Sequence, residues 1–176
     1  MVRTLPLGLD EALKMTLWRV DSLATQPVEL LDGLDHALGE DIFSKVDSPS
    51  IDASMKDGYA VISSEVRAAS REHPVRLELV DCLAAGDSRS LHVQPRTAVR
   101  VLTGAKIPSG ATAVLAEEFT ETENGGIIVY RDAEPGRNIL PNSSDVAAGH
   151  IVAAKGTIVT PGLAGMLAAA GHSKIS

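Results

Sequence analysis

The first 45 residues carry hydrophobic positions at the spacing of an α-helix. Apolar side chains recur at intervals of four, four and three residues, at Leu9, Leu13, Leu17 and Val20, which places them on one helix face. Residues 28–31 suit a short extended segment. Residues 32–38 suit a brief helix that Asp32 would cap and Gly39 would end. This part of the chain is therefore predicted to be mainly helical.

From about Ser48 the pattern changes to short runs rich in β-branched residues, which is typical of strands. The predicted strands are residues 58–63, 75–80, 98–102, 113–117 and 127–130. Turn-forming residues separate the strands, most clearly at 106–110 and 123–126. The middle of the chain is therefore predicted to be a compact β domain, either a barrel or a sandwich.

A helical pattern returns after residues 134–136. Thr160 followed by Pro161 indicates a helix start, with threonine as the cap and proline at the first helical position. Gly171 is the predicted stop. The small residues of this helix, Gly162, Gly165 and Ala169, predict close packing of the helix against another element.

The amino-acid composition excludes several classes of protein and of site. Hydrophobic residues make up 44% of the chain but aromatic residues only 3%, so aliphatic side chains must fill the core. A net charge of −7 argues against a nucleic-acid binder, because such a protein needs a basic face to release counterions. The single cysteine, Cys82, excludes an internal disulfide framework and a cysteine-based metal cage.

No leader segment and no membrane-spanning stretch is recognisable in the sequence, because a span needs roughly 18 to 20 consecutive apolar residues. We therefore expect a cytoplasmic protein with no membrane partner. The Walker, dinucleotide-binding, HExxH and GxSxG motifs are absent from the sequence. The histidines show no ligand spacing and are predicted to be structural or surface residues: His36, His73, His92, His150 and His172.

The densest group of polar side chains lies at residues 52–60, where a loop is predicted to lead into a strand. Asp52 and Asp57 could hold Mg²⁺ or orient an oxyanion through a metal, and Lys56 could meet a phosphate. Ser54 adds a hydroxyl group. The alternative is a plain turn, because Asp57 followed by Gly58 ahead of a strand is a common turn signal.

A second candidate site lies at residues 100–105, where a strand ends in Thr103-Gly104. The threonine hydroxyl and an exposed backbone N–H could meet a ligand there, and Arg100 could bind an anion in a bidentate manner. The alternative is again an ordinary turn. The adjacent pair Glu117-Glu118 is more typical of one solvated and one capping carboxylate than of a metal site.

The order of these segments resembles the MoeA family, the molybdopterin molybdenumtransferases that include the E domain of gephyrin. The segments that carry the resemblance are residues 54–61, 100–105, 108, 110–114, 136–139 and 145–149, with a looser match at 31–39. The Lys56-Asp57-Gly58 form is most similar to the gephyrin branch. Where the family has an arginine-rich stretch, this chain has residues 140–144 without arginine, so weaker anion contacts are expected at that loop.

The resemblance covers essentially all 176 residues and implies the N-terminal domains I and II of that family. It implies an α+β fold. A discontinuous mixed α/β domain would be formed by residues 1–46 plus 136–176, with a small β-barrel-like domain, residues 47–135, inserted between its halves. It also implies that the family's pterin-binding domain and C-terminal β domain lie beyond this region, so that this fragment alone is inactive.

The resemblance further implies a part in molybdenum cofactor biosynthesis, namely molybdate transfer to adenylylated molybdopterin with Mg²⁺, by a homodimer. Asp57 and Thr103 would be catalytic, and Asp57 would also bind the metal. Substrate contacts are expected from Ser54, Lys56, Arg100 and Gly104. An alternative function is a stand-alone, non-catalytic dimerisation or scaffold module in cofactor handling.

Overall fold

The computed structural model describes residues 7–176, which form three α-helices, two short 3-10 turns and twelve strands. The α-helices are α1 (Leu9–Leu17), α2 (Ser63–Val66) and α3 (Pro161–Ala169). The first six strands are β1 (Val28–Glu29), β2 (Ile42–Phe43), β3 (Ala53–Ser54), β4 (Gly58–Val61), β5 (Val75–Leu83) and β6 (Thr97–Val101). The others are β7 (Ala113–Ala116), β8 (Thr120–Glu123), β9 (Gly126–Val129), β10 (Ile139–Leu140), β11 (Ile151–Ala153) and β12 (Lys174–Ile175).

Six of these strands form one mixed sheet in the order β7-β4-β6-β5-β9-β8. All neighbours are antiparallel except β5 and β6, which run parallel. The two edge strands, β7 and β8, are joined by only the 3-10 turn Glu117–Phe119. Because such a short link brings the two edges together, the sheet must curl, and the predicted barrel-like β part of an α+β fold is confirmed.

Successive side chains of a strand point to opposite faces of the sheet, and both faces of this sheet bury hydrophobic side chains. Tyr59 and Val61 of β4 lie in one core, whereas Ala60 between them lies in the core on the opposite face. The first core also takes α2 through Val66. Loop residues such as Val93 cover the second core. Burial on both faces explains why β4 and β7 consist only of apolar residues and glycine.

A third core is built from both ends of the chain. β1 pairs with β12 and β2 pairs with β11, both antiparallel, so residues far apart in sequence lie side by side. α3 adds Ala164 and Leu167 to this core, where they pack with residues such as Leu38 and Val159. The predicted domain boundaries stay a prediction.

The chain passes from the third core to the curled sheet between β2 and β3, and it returns between β10 and β11. Aspartate side chains near the first segment accept hydrogen bonds from backbone N–H groups near the second. The backbone N–H groups of Lys155, Ala148 and Asn142 donate to the side chains of Asp41, Asp47 and Asp52, at 2.7, 2.8 and 2.7 Å respectively. Backbone amides that would otherwise face only water thus gain a charged acceptor. The segments are joined further by the pairing of β3 with β10.

Several local predictions are confirmed. The predicted strands appear as β4, β5, β6, β7 and β9, and the helix after Thr160 appears as α3. The Thr160 hydroxyl accepts from the Leu163 N–H at 3.2 Å, as expected of an N-cap. Gly171 adopts a φ of +90°, a backbone conformation that ends a helix and favours glycine.

Three local predictions are wrong. Residues 32–38 form no α-helix, because only the 3-10 turn Leu30–Gly33 occurs there. β8 was not predicted, since its sequence Thr-Glu-Thr-Glu is polar, yet an edge strand needs no burial and the Asn124-Gly125 turn pairs it with β9. Within residues 7–176 nothing packs closely against Gly162 or Gly165, and Ala169 is exposed, because α3 turns Ala164 and Leu167 inward instead.

Helix α1 covers Leu9–Leu17 of the predicted helix face, so Val20 lies beyond its end, and α1 buries none of its residues. The wider prediction of a mainly helical first part is wrong over residues 18–45, where the chain forms β1, a 3-10 turn and β2 and no α-helix. Its apolar face is solvent-exposed, with 85% of Leu9, 54% of Leu13 and 64% of Leu17 accessible. Among residues 7–176, no helix has the length and hydropathy that a bilayer crossing requires.

Candidate functional site

The candidate residues meet at one end of the curled sheet. β4 begins where its neighbours β6 and β7 end, because Gly58 lies opposite both Val101 and Ala116. This antiparallel arrangement places the loop before β4 against the loop after β6. The two segments that the sequence singled out, residues 52–60 and 100–105, therefore form one site.

The closest contact in this site joins Asp57 and Thr103. Asp57 Oδ1 accepts hydrogen bonds from the Thr103 N–H at 2.7 Å and from the Thr103 hydroxyl at 2.8 Å. Both residues are exposed. Asp57 Oδ2 accepts no hydrogen bond from the described residues, so one carboxylate oxygen is held by the protein and the other faces solvent.

Backbone hydrogen bonds fix the two loops relative to each other. The Ser54 N–H donates to the Ala105 carbonyl at 2.9 Å, and the Gly104 N–H donates to the Ser54 carbonyl at 2.8 Å. Gly104 has a φ of +81°, so the turn favours glycine. The loops are thereby pre-organised, which keeps the Asp57 carboxylate in one position.

The polar groups of Ser54 and Gly104 form hydrogen bonds within and between the two loops. Ser54 is only 3% exposed, and its hydroxyl donates to the Lys56 carbonyl at 2.6 Å. The Gly104 N–H that was expected to face a ligand is engaged with Ser54 instead. Contact of either residue with a substrate stays a prediction.

Arg100 is paired rather than free. Its guanidinium lies 3.2 Å from a carboxylate oxygen of Glu117, and both side chains are about half exposed, at 44% and 54%. Such an exposed pair adds little stability. The backbone N–H of Glu117 also donates to the Asp57 carbonyl at 3.2 Å, which brings Glu117 into the site.

The pKa of Asp57 lies below its ordinary value. The largest cause is the Thr103 backbone N–H, followed by the Thr103 hydroxyl, and the positive charge of Arg100 contributes further. Each of these favours the ionised carboxylate. Because the folded-state pKa is depressed, any stability this group contributes is complete above pH 3.8 and is lost as the pH falls through the lower folded-state pKa.

Replacing Thr103 with valine is expected to raise the pKa of Asp57 only part of the way to its ordinary value. Valine removes the hydroxyl donor but keeps the backbone N–H, which is the larger cause of the shift. Carboxyl-carbon NMR across an acid titration measures this. An Asp57 pKa unchanged in Thr103→Val would show that the hydroxyl does not influence the carboxylate.

The site fits part of a magnesium centre. Mg²⁺ is usually bound by one or two carboxylates, several waters and substrate phosphates rather than by a full protein cage. The free oxygen of Asp57 suits one such position. Within residues 7–176 no three His, Cys, Asp or Glu side chains cluster as a metal site, so this part of the chain offers a single carboxylate and not a complete metal cage.

The sequence did not indicate the partner of Arg100. Glu117 was predicted to be solvated or capping, and only the pairing of β4 with both β6 and β7 brings it beside Arg100. Arg131 and Arg137 were not among the predicted site residues, although both line a pocket with Lys56. No spacing in the sequence predicts this pocket, because the pairing of the intervening strands determines where these three side chains meet.

Comparison with known proteins gives these residues a family context. The family described as MoeA N-terminal region (domain I and II) matches residues 7–171. A molybdopterin molybdenumtransferase of Bacillus subtilis (strain 168) is 37% identical over 174 residues, which cover 97% of this chain and 40% of that protein. Molybdopterin molybdenumtransferase 2 of Mycobacterium tuberculosis (strain H37Rv) is 37% identical over 151 residues, which cover 86% of this chain and 37% of that protein.

A solved structure shares the same fold. The crystal structure of molybdopterin biosynthesis moeA protein from Pyrococcus horikoshii OT3 has a TM-score of 0.89 and 35% sequence identity, over 96% of this chain and 45% of that one. The chain therefore spans less than half the length of the curated relatives and solved structure that it matches.

Proposed function

Because this chain belongs to the MoeA family, whose N-terminal region it matches, we propose that it supplies one side of the active site of a molybdenum-insertion enzyme. The proposed substrates are molybdate and adenylylated molybdopterin. The observation that carries the proposal is the ionised Asp57 carboxylate, held by two Thr103 donors on pre-organised loops.

The proposed chemistry relies on positioning and electrostatics. Asp57 would offer its free oxygen to Mg²⁺, which when bound neutralises negative charge on substrate oxygens. Thr103 keeps the carboxylate oriented and ionised, and Arg100 adds positive charge beside it. The proposed mechanism holds the reacting groups in place by positioning and electrostatics, without a covalent intermediate.

A hybrid enzyme tests this proposal. This chain would replace the matching N-terminal 40% of the Bacillus subtilis relative, and molybdate-dependent release of AMP from adenylylated molybdopterin would be measured. We expect the hybrid to release AMP only when molybdate is present. A folded hybrid without this activity, beside an active parent enzyme, would contradict the proposal.

The apolar face of α1 favours a second copy of this chain as a partner, in line with the homodimer expected from the resemblance. Leu9, Leu13 and Leu17 form a row that no described residue covers. The same feature favours a second candidate function, a non-catalytic dimerisation or scaffold module. An inactive hybrid that still dimerises would support that second function.

We expect the solution mass to be twice the 18.4 kDa of one chain. Because apolar burial would drive the association, Leu13→Ser combined with Leu17→Ser is expected to shift the mass to that of a monomer. Multi-angle light scattering measures this, with Leu31→Ser as a control, since Leu31 is also exposed but lies outside α1. A monomeric wild-type chain would contradict the proposed dimer.

The cytoplasmic location stays a prediction.

A further inference from the structure

A small pocket lies at the seam of the curled sheet, where the two edge strands approach each other. It is located between the 3-10 turn Glu117–Phe119 and the segment that follows β9, and its volume is about 140 Å³. The polar residues that line it are Lys56, Arg131, Arg137, Asn138, Glu118 and Asp132. We call it the seam pocket. Its volume is several times the roughly 30 Å³ of one water molecule, which leaves room for a small ion.

The cations of the seam pocket are free to bind an anion. Among residues 7–176, the cations that form ion pairs are Arg76, Arg89, Arg100 and Lys174. No carboxylate in that part of the chain lies within 4.0 Å of a charged nitrogen of Lys56, Arg131 or Arg137. Three unpaired cations around one pocket are unexpected in a chain with a net charge of −7.

Neutral partners position both arginines. The Arg137 guanidinium donates to the Asp132 backbone carbonyl at 3.1 Å, which leaves its other N–H groups available. The Arg131 guanidinium lies 4.5 Å from the centre of the Phe119 ring, a stacking contact that uses none of its donors. Planar guanidinium groups with free N–H donors suit the oxygens of a phosphate.

The carboxylates of Glu118 and Asp132 partly offset the positive charge of the three cations in the seam pocket. Three cations against two carboxylates leave a formal charge of +1 in the lining of the seam pocket. The pocket also adjoins Asp57, because Lys56 precedes Asp57 directly and the Glu117 N–H donates to the Asp57 carbonyl at 3.2 Å. The loop that carries Asp57 therefore contributes to the pocket wall through Lys56.

We propose that the seam pocket is a binding site for a phosphate group, in which Arg131, Arg137 and Lys56 supply charged hydrogen-bond donors. The phosphate could be the free ion or part of an ester. Phosphate binding by these three cations requires neither the conversion of adenylylated molybdopterin nor a bound metal, so it is independent of the proposed function.

Titration of the chain with inorganic phosphate at low ionic strength, followed by backbone amide NMR, tests the site, since low salt limits screening of exposed charges. We expect saturable shifts at residues 56, 131 and 137. Arg137→Gln and Arg131→Gln should each raise the Kd about tenfold, the effect of one lost charge-assisted hydrogen bond. Arg137→Lys retains the charge and should lose less affinity than Arg137→Gln.

Arg71→Gln is the matched control, because Arg71 also lies over an aromatic ring, that of Tyr130 at 5.7 Å, but outside the seam pocket. Its Kd should equal that of the wild type. A second titration with AMP distinguishes the sources: tighter binding of AMP assigns the pocket to a phosphate ester, and equal binding assigns it to the free ion. Shifts that do not saturate, or a folded Arg137→Gln with an unchanged Kd, would overturn the proposal.

Discussion

Asp57→Asn in the hybrid enzyme is expected to lower molybdate-dependent AMP release by about 100-fold or more, the size typical of removing one pre-organised electrostatic group from an active site. The asparagine amide oxygen can still accept both hydrogen bonds from Thr103, which wild-type Asp57 accepts at 2.7 and 2.8 Å. The substitution therefore removes the charge and keeps the geometry. Steady-state AMP release at saturating substrate measures the effect.

The matched control for this substitution is Asp41→Asn. The side chain of Asp41 also accepts a backbone N–H at 2.7 Å, from Lys155, but Asp41 lies with the third core and away from the site. We expect its activity and its thermal midpoint to match those of the parent hybrid. If Asp57→Asn mainly unfolds the protein, the residue serves the turn, and if its activity is unchanged, the catalytic prediction for Asp57 is wrong.

Gly58→Ala is expected to destabilise the chain by about 3 kcal/mol or more, the upper end of what overpacking a well-packed site costs. A Cβ atom at this position would lie 1.8 Å from the Leu115 carbonyl oxygen. β4 is a central strand with β6 and β7 on its two sides, so it cannot move away without breaking a ladder. Urea denaturation followed by circular dichroism measures the loss.

Gly165→Ala provides the contrast for this experiment. Gly165 lies in α3, and among residues 7–176 a Cβ there would meet no heavy atom within 4 Å beyond its chain neighbours and the backbone of α3 itself. Alanine in an exposed helix interior is expected to raise stability by about 0.5 to 1 kcal/mol. A Gly58→Ala variant as stable as the wild type would show that β4 and β7 can separate without cost.

Gly58 also separates the two explanations that the sequence left open for residues 52–60. The turn explanation rests on a common turn signal, since both residues tolerate positive φ, yet neither Asp57 nor Gly58 adopts a positive φ. Glycine is needed there because the Leu115 carbonyl approaches closely, and no local signal reveals a contact made 57 residues further along the chain. The same sheet places Asp57 beside Thr103, so the short link before β4 also carries a residue of the candidate site.

The sequence by itself determined the features that depend on neighbouring residues and on the order of segments along the chain. The capped helix at Thr160, the apolar strands β4 and β7, the Asn124-Gly125 turn and the family resemblance all follow from neighbouring residues. Only the tertiary structure decided which residues meet: Asp57 with Thr103, Arg100 with Glu117, and the three cations of the seam pocket. The physical reason is that strand pairing over long sequence separations sets these contacts, and the curling of the sheet that brings its edges together leaves no periodic trace in the chain.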